Sequence, residues 1–124
     1  MKSKDLRVRV ELLDSPLAVI RVAGSVVADT CPVLEEELDR VLDSGHDHVV
    51  MDMSDLDFMS TAGWSVLVGK LRRVRARKGA LHLCGLSTDM EEVYKMLQFE
   101  SVLPHHSTLD QAIAAVRIAA SAGS

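Results

Sequence analysis

The chain passes from a strand to a helix within the segment Asp52-Met53-Ser54-Asp55-Leu56-Asp57-Phe58-Met59-Ser60-Thr61-Ala62-Gly63-Trp64. The strand is predicted to end in an acidic turn, and two adjacent hydroxyls, Ser60 and Thr61, stand just before the apolar period of the helix. Free backbone N–H groups and the positive end of the helix dipole accept a phosphate at such a position without unfolding the helix. The segment is therefore compatible with an ordinary helix cap and with a phosphorylation site.

An antiparallel hairpin is predicted near the start of the chain. Residues 7–12 alternate between charged and apolar side chains, and residues 17–22 are mostly apolar. The turn-forming residues Asp14-Ser15-Pro16 separate the two runs. We expect this hairpin to form one edge of a sheet.

Helices and strands alternate through the rest of the chain. Apolar spacing and capping residues predict a helix from Asp29 or Thr30 to Gly45, a strand at 49–53, a helix at 64–78, a strand at 81–84, a helix behind a capping box at 88–91, and a last helix from Ser107 or Thr108. This order implies parallel strands joined by right-handed crossovers, with helices covering the sheet. We predict an α/β fold with a four- to five-stranded mixed, mainly parallel sheet and about four helices.

The composition indicates one domain. The chain has 124 residues, of which 48% are hydrophobic, and no Pro/Gly/Ser-rich segment divides it. We expect a core from about residue 6 to residue 118 and a frayed tail at 119–124. No apolar run approaches the roughly 18 residues of a membrane span, and the first residues do not resemble a secretion signal. We therefore expect a cytoplasmic protein without direct membrane insertion.

Positive charge is concentrated in one predicted helix. The formal net charge is −4, yet six cations lie between residues 70 and 78, namely Lys70, Arg72, Arg73, Arg75, Arg77 and Lys78. A nucleic-acid site would combine such a cluster with aromatic residues, and none are interleaved here. We therefore expect a solvated helix face and no nucleic-acid partner.

The residues do not predict a catalytic or cofactor site. The five histidines are scattered without a Ser/His/Asp order, and we interpret His105-His106 as an exposed loop pair. Cys31 and Cys84 form no CxxC pair, which favours buried thiols over a disulfide or a metal site. The acids between residues 52 and 57 resemble those of a phosphoacceptor receiver domain, but the hydroxyl and the lysine that receivers carry on later strands are missing. We predict no enzymatic activity, metal or cofactor.

Four segments resemble the signature of the STAS family, in its anti-sigma factor antagonist type, and they occur in the family's order. They are the approach to the first helix, the hydroxyl turn, a glycine-led strand and a helix exit, at residues 24–32, 58–67, 78–85 and 96–103. The resemblance covers the chain from about Leu6 to Val116. In the family, the second residue of the hydroxyl pair is a phosphorylated serine, and Thr61 occupies that position here.

The resemblance implies a non-enzymatic regulatory protein that binds an anti-sigma factor and so releases a sigma factor. The partner implied is also a serine/threonine kinase of the histidine-kinase-like ATPase type, and phosphorylation at Thr61, or as a second choice at Ser60, would end the binding. A phosphatase of the metal-dependent serine/threonine class would reverse it. The implied partner surface consists of Ser25, Val27, Thr30, Ser60, Ala62, Gly63 and Trp64.

The chain departs from the family pattern at three polar positions. Ser25 and Val27 stand where the family carries acidic residues, and Ser60 replaces the aspartate that often precedes the phosphoacceptor. These departures keep open a second hypothesis, a constitutive STAS scaffold or transporter-associated subunit, as in stressosomes or in lipid and anion transport. Trp64, where the family usually has leucine, is compatible with a core residue and with an anchor for a partner.

Overall fold

A five-stranded mixed sheet organises the chain. The computed structural model describes residues 5–122. In chain order the elements are β1 (Leu6–Leu12), β2 (Leu17–Val26), α1 (Cys31–Asp43), β3 (His48–Met59), α2 (Thr61–Ala76), β4 (Ala80–Cys84), α3 (Thr88–Met96), a short 3₁₀ turn (Phe99–Ser101), β5 (His105–His106) and α4 (Leu109–Ala122). The strands lie in the order β1-β2-β3-β4-β5, with β1 antiparallel to β2 and the other neighbours parallel. The predicted fold class is confirmed.

Helices cover both faces of this sheet. Buried residues of α1, α2 and α3 pack with Ala18 and Ile20 of β2 on one face. On the other face, Ala112 and Val116 of α4 pack with alternate residues of β2, including Val19. Because its side chains are buried on both faces, β2 reads as a nearly continuous apolar run.

β3 is longer than predicted. The prediction of an acidic turn after residue 53 is wrong, because β3 continues to Met59. Its pairing with β2 shifts register twice, as at β-bulges. Asp55 and Asp57 are exposed along this extension while Leu56 and Met59 are buried, so the acids that resemble a turn lie on the solvent side of a strand.

α1 begins where predicted but without the predicted side-chain cap, and α2 begins earlier than predicted. α1 follows Thr30, whose hydroxyl donates to the Ser25 carbonyl at 2.8 Å and accepts from the Val27 N–H at 2.9 Å instead of capping the helix. Gly45, which has a positive φ of 88°, follows the end of α1 as predicted. α2 begins at Thr61, three residues earlier than predicted.

The last two helices each begin at a side-chain cap. The hydroxyl of Ser87 accepts from the Met90 N–H at 3.2 Å, so the predicted capping box at 88–91 is wrong by one residue. The Thr108 hydroxyl accepts from the Gln111 N–H at 3.2 Å, in agreement with one of the two predicted caps. The predicted frayed tail at 119–124 is helical through residue 122, and residues 123 and 124 lie outside the described residues.

Some of the basic residues of α2 face α1 and not solvent. Lys70 and Arg73 donate to Asp39 Oδ1 at 2.7 and 2.9 Å, and Arg77 donates to the Leu42 carbonyl at 2.5 Å. The hydrogen bond from Lys70 lowers the pKa of Asp39. The prediction of a solvated face is therefore wrong for Lys70 and Arg73, which are partly buried against α1, while Arg77, just after α2, stays exposed.

Candidate functional site

The candidate site lies where β3 ends and α2 begins. After the buried Met59, the Ser60 N–H donates to the Val26 carbonyl at 2.8 Å, which continues the pairing of β3 with β2. The Ser60 carbonyl then accepts from the N–H groups of Gly63 and Trp64 at 2.9 and 3.2 Å and so closes the first turn of α2. The strand and the first helical turn together hold residues 60 and 61 in a defined position.

The two hydroxyls at this position differ in their accessibility. The Ser60 Oγ is buried, makes no hydrogen bond within the described chain and does not cap α2. Thr61, one residue later, is the first residue of the helix and is exposed. Ser60 is therefore not an ordinary helix cap. Of the two residues, Thr61 is the one that a second protein can reach.

The predicted partner residues form two groups by burial. Val27, Thr30, Ser60 and Ala62 are partly exposed, and the bond between Ser60 and Val26 brings the approach to α1 beside the start of α2. The other three are buried, with exposed fractions of 3% for Ser25 and 2% for Trp64, and Gly63 is likewise enclosed. These three residues shape the surface from beneath and offer no side chain to a partner.

Gly63 allows α2 to approach the sheet closely. A Cβ at this residue would lie 2.8 Å from Val26 Cγ1 and closer still to Met59 Cγ. Both neighbours are strand side chains below the first turn of the helix. The missing side chain therefore sets how close the hydroxyl-bearing turn lies to β2 and β3.

Trp64 connects the candidate site to α3 and to the 3₁₀ turn that follows it. Its ring lies 6.2 Å from that of Tyr94 and 5.4 Å from that of Phe99, measured between centroids. Its indole Nε1 is buried without a hydrogen-bond partner in the described chain. The sequence leaves open whether Trp64 is a core residue or an anchor for a partner, and this geometry favours a core residue.

A shallow cleft of about 150 Å³ adjoins the site and was not predicted from the sequence. Residues from the end of β3, the start of α2 and α3 line it, namely Asp57, Phe58, Met59, Trp64, Asp89, Met90 and Val93. Phe58 is 38% exposed, which is unusual for a phenylalanine. The sequence signal that could have indicated this cleft is an aromatic residue, Phe58, between the acidic residues and the two hydroxyls.

Two of the five histidines, His82 and His106, contact each other away from this site. His82 Nδ1 of β4 lies 2.9 Å from His106 Nε2 of β5, and the two rings stack at 5.1 Å between centroids. The interpretation of His105-His106 as an exposed loop pair is wrong, because both residues are half-buried in an edge strand that pairs with Leu83 and Cys84. The pairing depends on a two-residue strand, which is too short to give a sequence pattern.

Both cysteines are buried free thiols, as predicted. Burial, with a smaller contribution from the neighbouring Asp52, raises the pKa of Cys84 to about 12. A thiol that stays protonated at neutral pH is a poor nucleophile.

Among residues 5–122, no three His, Cys, Asp or Glu side chains lie close enough together to hold a metal ion. No helix in the same range is long and apolar enough to span a membrane.

Comparison with known proteins gives the following relationships. The STAS domain family matches this chain over residues 7–112. A candidate anti-sigma factor antagonist, BtrV of Bordetella bronchiseptica, is 33% identical over 96 residues, which cover 77% of this chain and 83% of BtrV. The sequence relationship and the family match thus both extend across the hydroxyl turn.

Solved structures share the fold. An anti-sigma factor antagonist from Mycobacterium paratuberculosis superposes with a TM-score of 0.85 at 22% identity, covering 94% of this chain and 99% of that one. The Bacillus cell fate determinant SpoIIAA in its phosphorylated form gives 0.71 at 19% identity, with 89% and 99% covered. A sulfate transporter family protein from Wolinella succinogenes gives 0.71 at 15% identity, with 90% and 93% covered. At these identities the likeness shows the fold alone. On the family match and the relationship to BtrV, the chain belongs to the STAS-domain family, and its relatives include proteins named as anti-sigma factor antagonists.

Proposed function

We propose that this chain is a non-enzymatic antagonist of an anti-sigma factor and that phosphorylation of Thr61 ends its binding. The observation that carries the proposal is the accessibility of Thr61, an exposed hydroxyl at the first residue of α2 beside a buried one. A kinase can reach Thr61 without opening the fold. The relationship to BtrV supports the same function.

A phosphate on Thr61 would act through charge and desolvation. Phosphothreonine carries about −1.5 to −2 charges at neutral pH. Free N–H groups at the start of α2 tolerate this charge. A partner that packs on Thr61 and on the neighbouring Phe58 and Ala62 would have to strip water from the phosphate, which costs binding energy. A loss of a few kcal/mol corresponds to a roughly 100-fold or larger decrease in affinity.

The partner we propose is an anti-sigma factor that is itself a kinase of the histidine-kinase-like ATPase type. A kinase that docks on this surface has Thr61 within its own interface, so one contact serves both binding and modification. A metal-dependent serine/threonine phosphatase would restore the unmodified form. The proposed contact surface is Val27, Thr30, Phe58, Ser60, Thr61 and Ala62. Because sigma factors act on RNA polymerase, the proposed location is the cytoplasm.

The test compares two substitutions at residue 61. The probe is the anti-sigma factor kinase encoded nearest to this chain, or the protein recovered by pull-down from the native cell and identified by mass spectrometry. Thr61→Glu should weaken binding by about 100-fold, and Thr61→Ala by less than about tenfold, because only the first adds charge under the partner. Incubation with the kinase and ATP should place one phosphate on Thr61.

Gln111→Glu is the matched control. Residue 111 is exposed in the first turn of α4, so this change also adds one negative charge near a helix N-terminus, but on the opposite face of the sheet. It should leave the affinity unchanged. Equal losses for the two substitutions at residue 61 would show that Thr61 is only a structural residue, and phosphate on another residue would overturn the assignment of the site.

A constitutive STAS binding module is the second candidate function. The structural likeness to a sulfate transporter family protein favours it, since the same fold occurs there. In this case a partner would bind the wild type and the Thr61→Glu variant equally well. Residue 61 would also remain unmodified in protein isolated from the native cell.

A further inference from the structure

The strand β1 is the long open edge of the sheet. Within residues 5–122 it pairs only with β2, and the opposite edge strand, β5, has just two residues. One side of β1 therefore presents unpaired backbone N–H and C=O groups over seven residues. Proteins commonly protect such an edge with a bulge, a proline or charged side chains. β1, with the sequence LRVRVEL, has a regular register and no proline, and its charged residues include both signs.

The apolar face of β1 extends beyond the core that covers it. Leu6 and Val8 pack against the core on the side that α1 covers. Val10 and Leu12 point to the same face, because alternate residues of a strand share a side, but they are 37% and 54% exposed. The edge therefore combines free backbone groups with uncovered apolar side chains.

We propose that β1 pairs antiparallel with β1 of a second copy of this chain, with the two-fold axis at Val10. In this register Val10 lies opposite its own counterpart and Val8 lies opposite Leu12 of the second copy. On the other face Arg9 lies opposite Glu11 of the second copy, twice by symmetry. Such cross-strand pairs are the stabilising unit of antiparallel sheets. The register buries both exposed apolar residues and pairs Arg9 with Glu11, while Arg7 lies opposite Leu13, beyond the end of β1.

Neighbouring registers are poorer. An axis at Arg9 pairs Arg7 with Glu11 but places Arg9 opposite itself, and an axis at Val8 places Arg7 opposite Arg9. A shift by one residue turns the apolar face of one strand toward the charged face of the other. Arg9 makes no ion pair among the described residues, and Glu11 reaches only the exposed Arg21, at 3.5 Å. Both charges are thus available to a second copy.

The contact would be a weak one that leaves the candidate site open. A single pair of short strands lies at the small end of protein interfaces, so the dimer should depend on concentration. β2 lies between β1 and β3, and Thr61 follows the end of β3. The dimer would therefore carry two uncovered Thr61 surfaces. The proposal is independent of whether Thr61 is phosphorylated.

A charge-exchange experiment tests the register. The mass of the full chain is measured by sedimentation velocity from low micromolar to several hundred micromolar concentration. The wild type should shift from the 13.5 kDa monomer toward twice that mass. Arg9→Glu and Glu11→Arg should each weaken dimerisation by at least about tenfold, because each replaces two attractive pairs with two repulsive ones. An equimolar mixture of the two variants, and the double variant, should recover it.

Ile118→Glu is the matched control. Ile118 is also an exposed apolar residue, at 71%, but it lies on α4, which packs on the sheet face away from the β1 edge. This variant should dimerise as the wild type does. Unchanged circular dichroism and urea midpoints ensure that each variant is folded. A wild type that stays monomeric at every concentration, or a mixture that fails to recover the dimer, would overturn the proposal.

Discussion

At the scale of the residue, Gly63 controls how the first turn of α2 sits on the sheet. Its position leaves no room for a Cβ between Val26 and Met59. Gly69, in the same helix, has open space around the corresponding position. The two glycines look alike in the sequence, so their different roles depend on the packing of the folded chain.

We predict opposite effects of alanine at these two glycines. Gly63→Ala should lower the free energy of unfolding by about 1–3 kcal/mol, because the new methyl group overpacks against two strand side chains. Gly69→Ala, the matched control, should raise it by about 0.5–1 kcal/mol through helix propensity. Urea unfolding of both variants measures the difference. A neutral or stabilising effect of Gly63→Ala would mean that the sheet and α2 can separate at little cost.

At the scale of the element, the pair of histidines connects β4 to the short edge strand β5. The contact between His82 and His106 requires one ring to donate and the other to accept, so it is lost when both rings are fully protonated. Burial, with smaller contributions from His106 and His48, lowers the pKa of His82. Burial also lowers the pKa of His105.

We predict that stability falls in mild acid through these histidines. Because the pKa of His82 is lower in the folded chain than in the unfolded one, the unfolded chain binds more protons, and stability falls as the pH drops below about 6.5. Urea midpoints from pH 7.5 to 5 should show this loss. His82→Gln should reduce the slope, with His105 supplying the remainder. His46→Gln, in the loop before β3, is the control and should keep the wild-type slope; equal slopes for all three proteins would exclude the pair as the cause.

The ion pairs between α1 and α2 also depend on how two separate elements pack together. The basic run of α2 looks solvent-facing in the sequence, yet Lys70 and Arg73 meet Asp39 across the helix pair. Asp39 keeps 42% of its side chain exposed, so each pair contributes well under about 1 kcal/mol and orients the helices more than it stabilises them.

At the scale of the whole molecule, the proposed switch should work without a change of fold. A dianion at a helix N-terminus contributes from a few tenths to about 1 kcal/mol in the favourable direction. We therefore predict that phosphorylation of Thr61 leaves the urea midpoint nearly unchanged while binding falls.

Trp64 gives the second measurement for this prediction. It is the only tryptophan, it lies three residues after Thr61, and it is almost fully buried. Its emission should stay that of a buried indole after phosphorylation. A loss of several kcal/mol in stability, or a fully solvent-shifted emission, would show that the phosphate melts the start of α2 and that the proposed surface mechanism is wrong.

The sequence by itself determined the class of the fold and the position of the hydroxyl turn. Apolar periods, the residues flanking each element and four short motifs are local signals, and they predict the initial hairpin, the alternation of helices and strands and the family. They also single out residues 60 and 61. These features depend on neighbours along the chain, which a sequence displays directly.

Only the tertiary structure decided which side chains meet and which are accessible. Four features depend on contacts between separate elements: the extension of β3, the burial of the Ser60 hydroxyl beside the exposed Thr61, the cleft beside α3 and the pair of His82 with His106. A local pattern does not specify such contacts, because bulges shift register and short edge strands carry no period of their own. The chemistry of the site was therefore visible in the sequence, while its accessibility followed from packing.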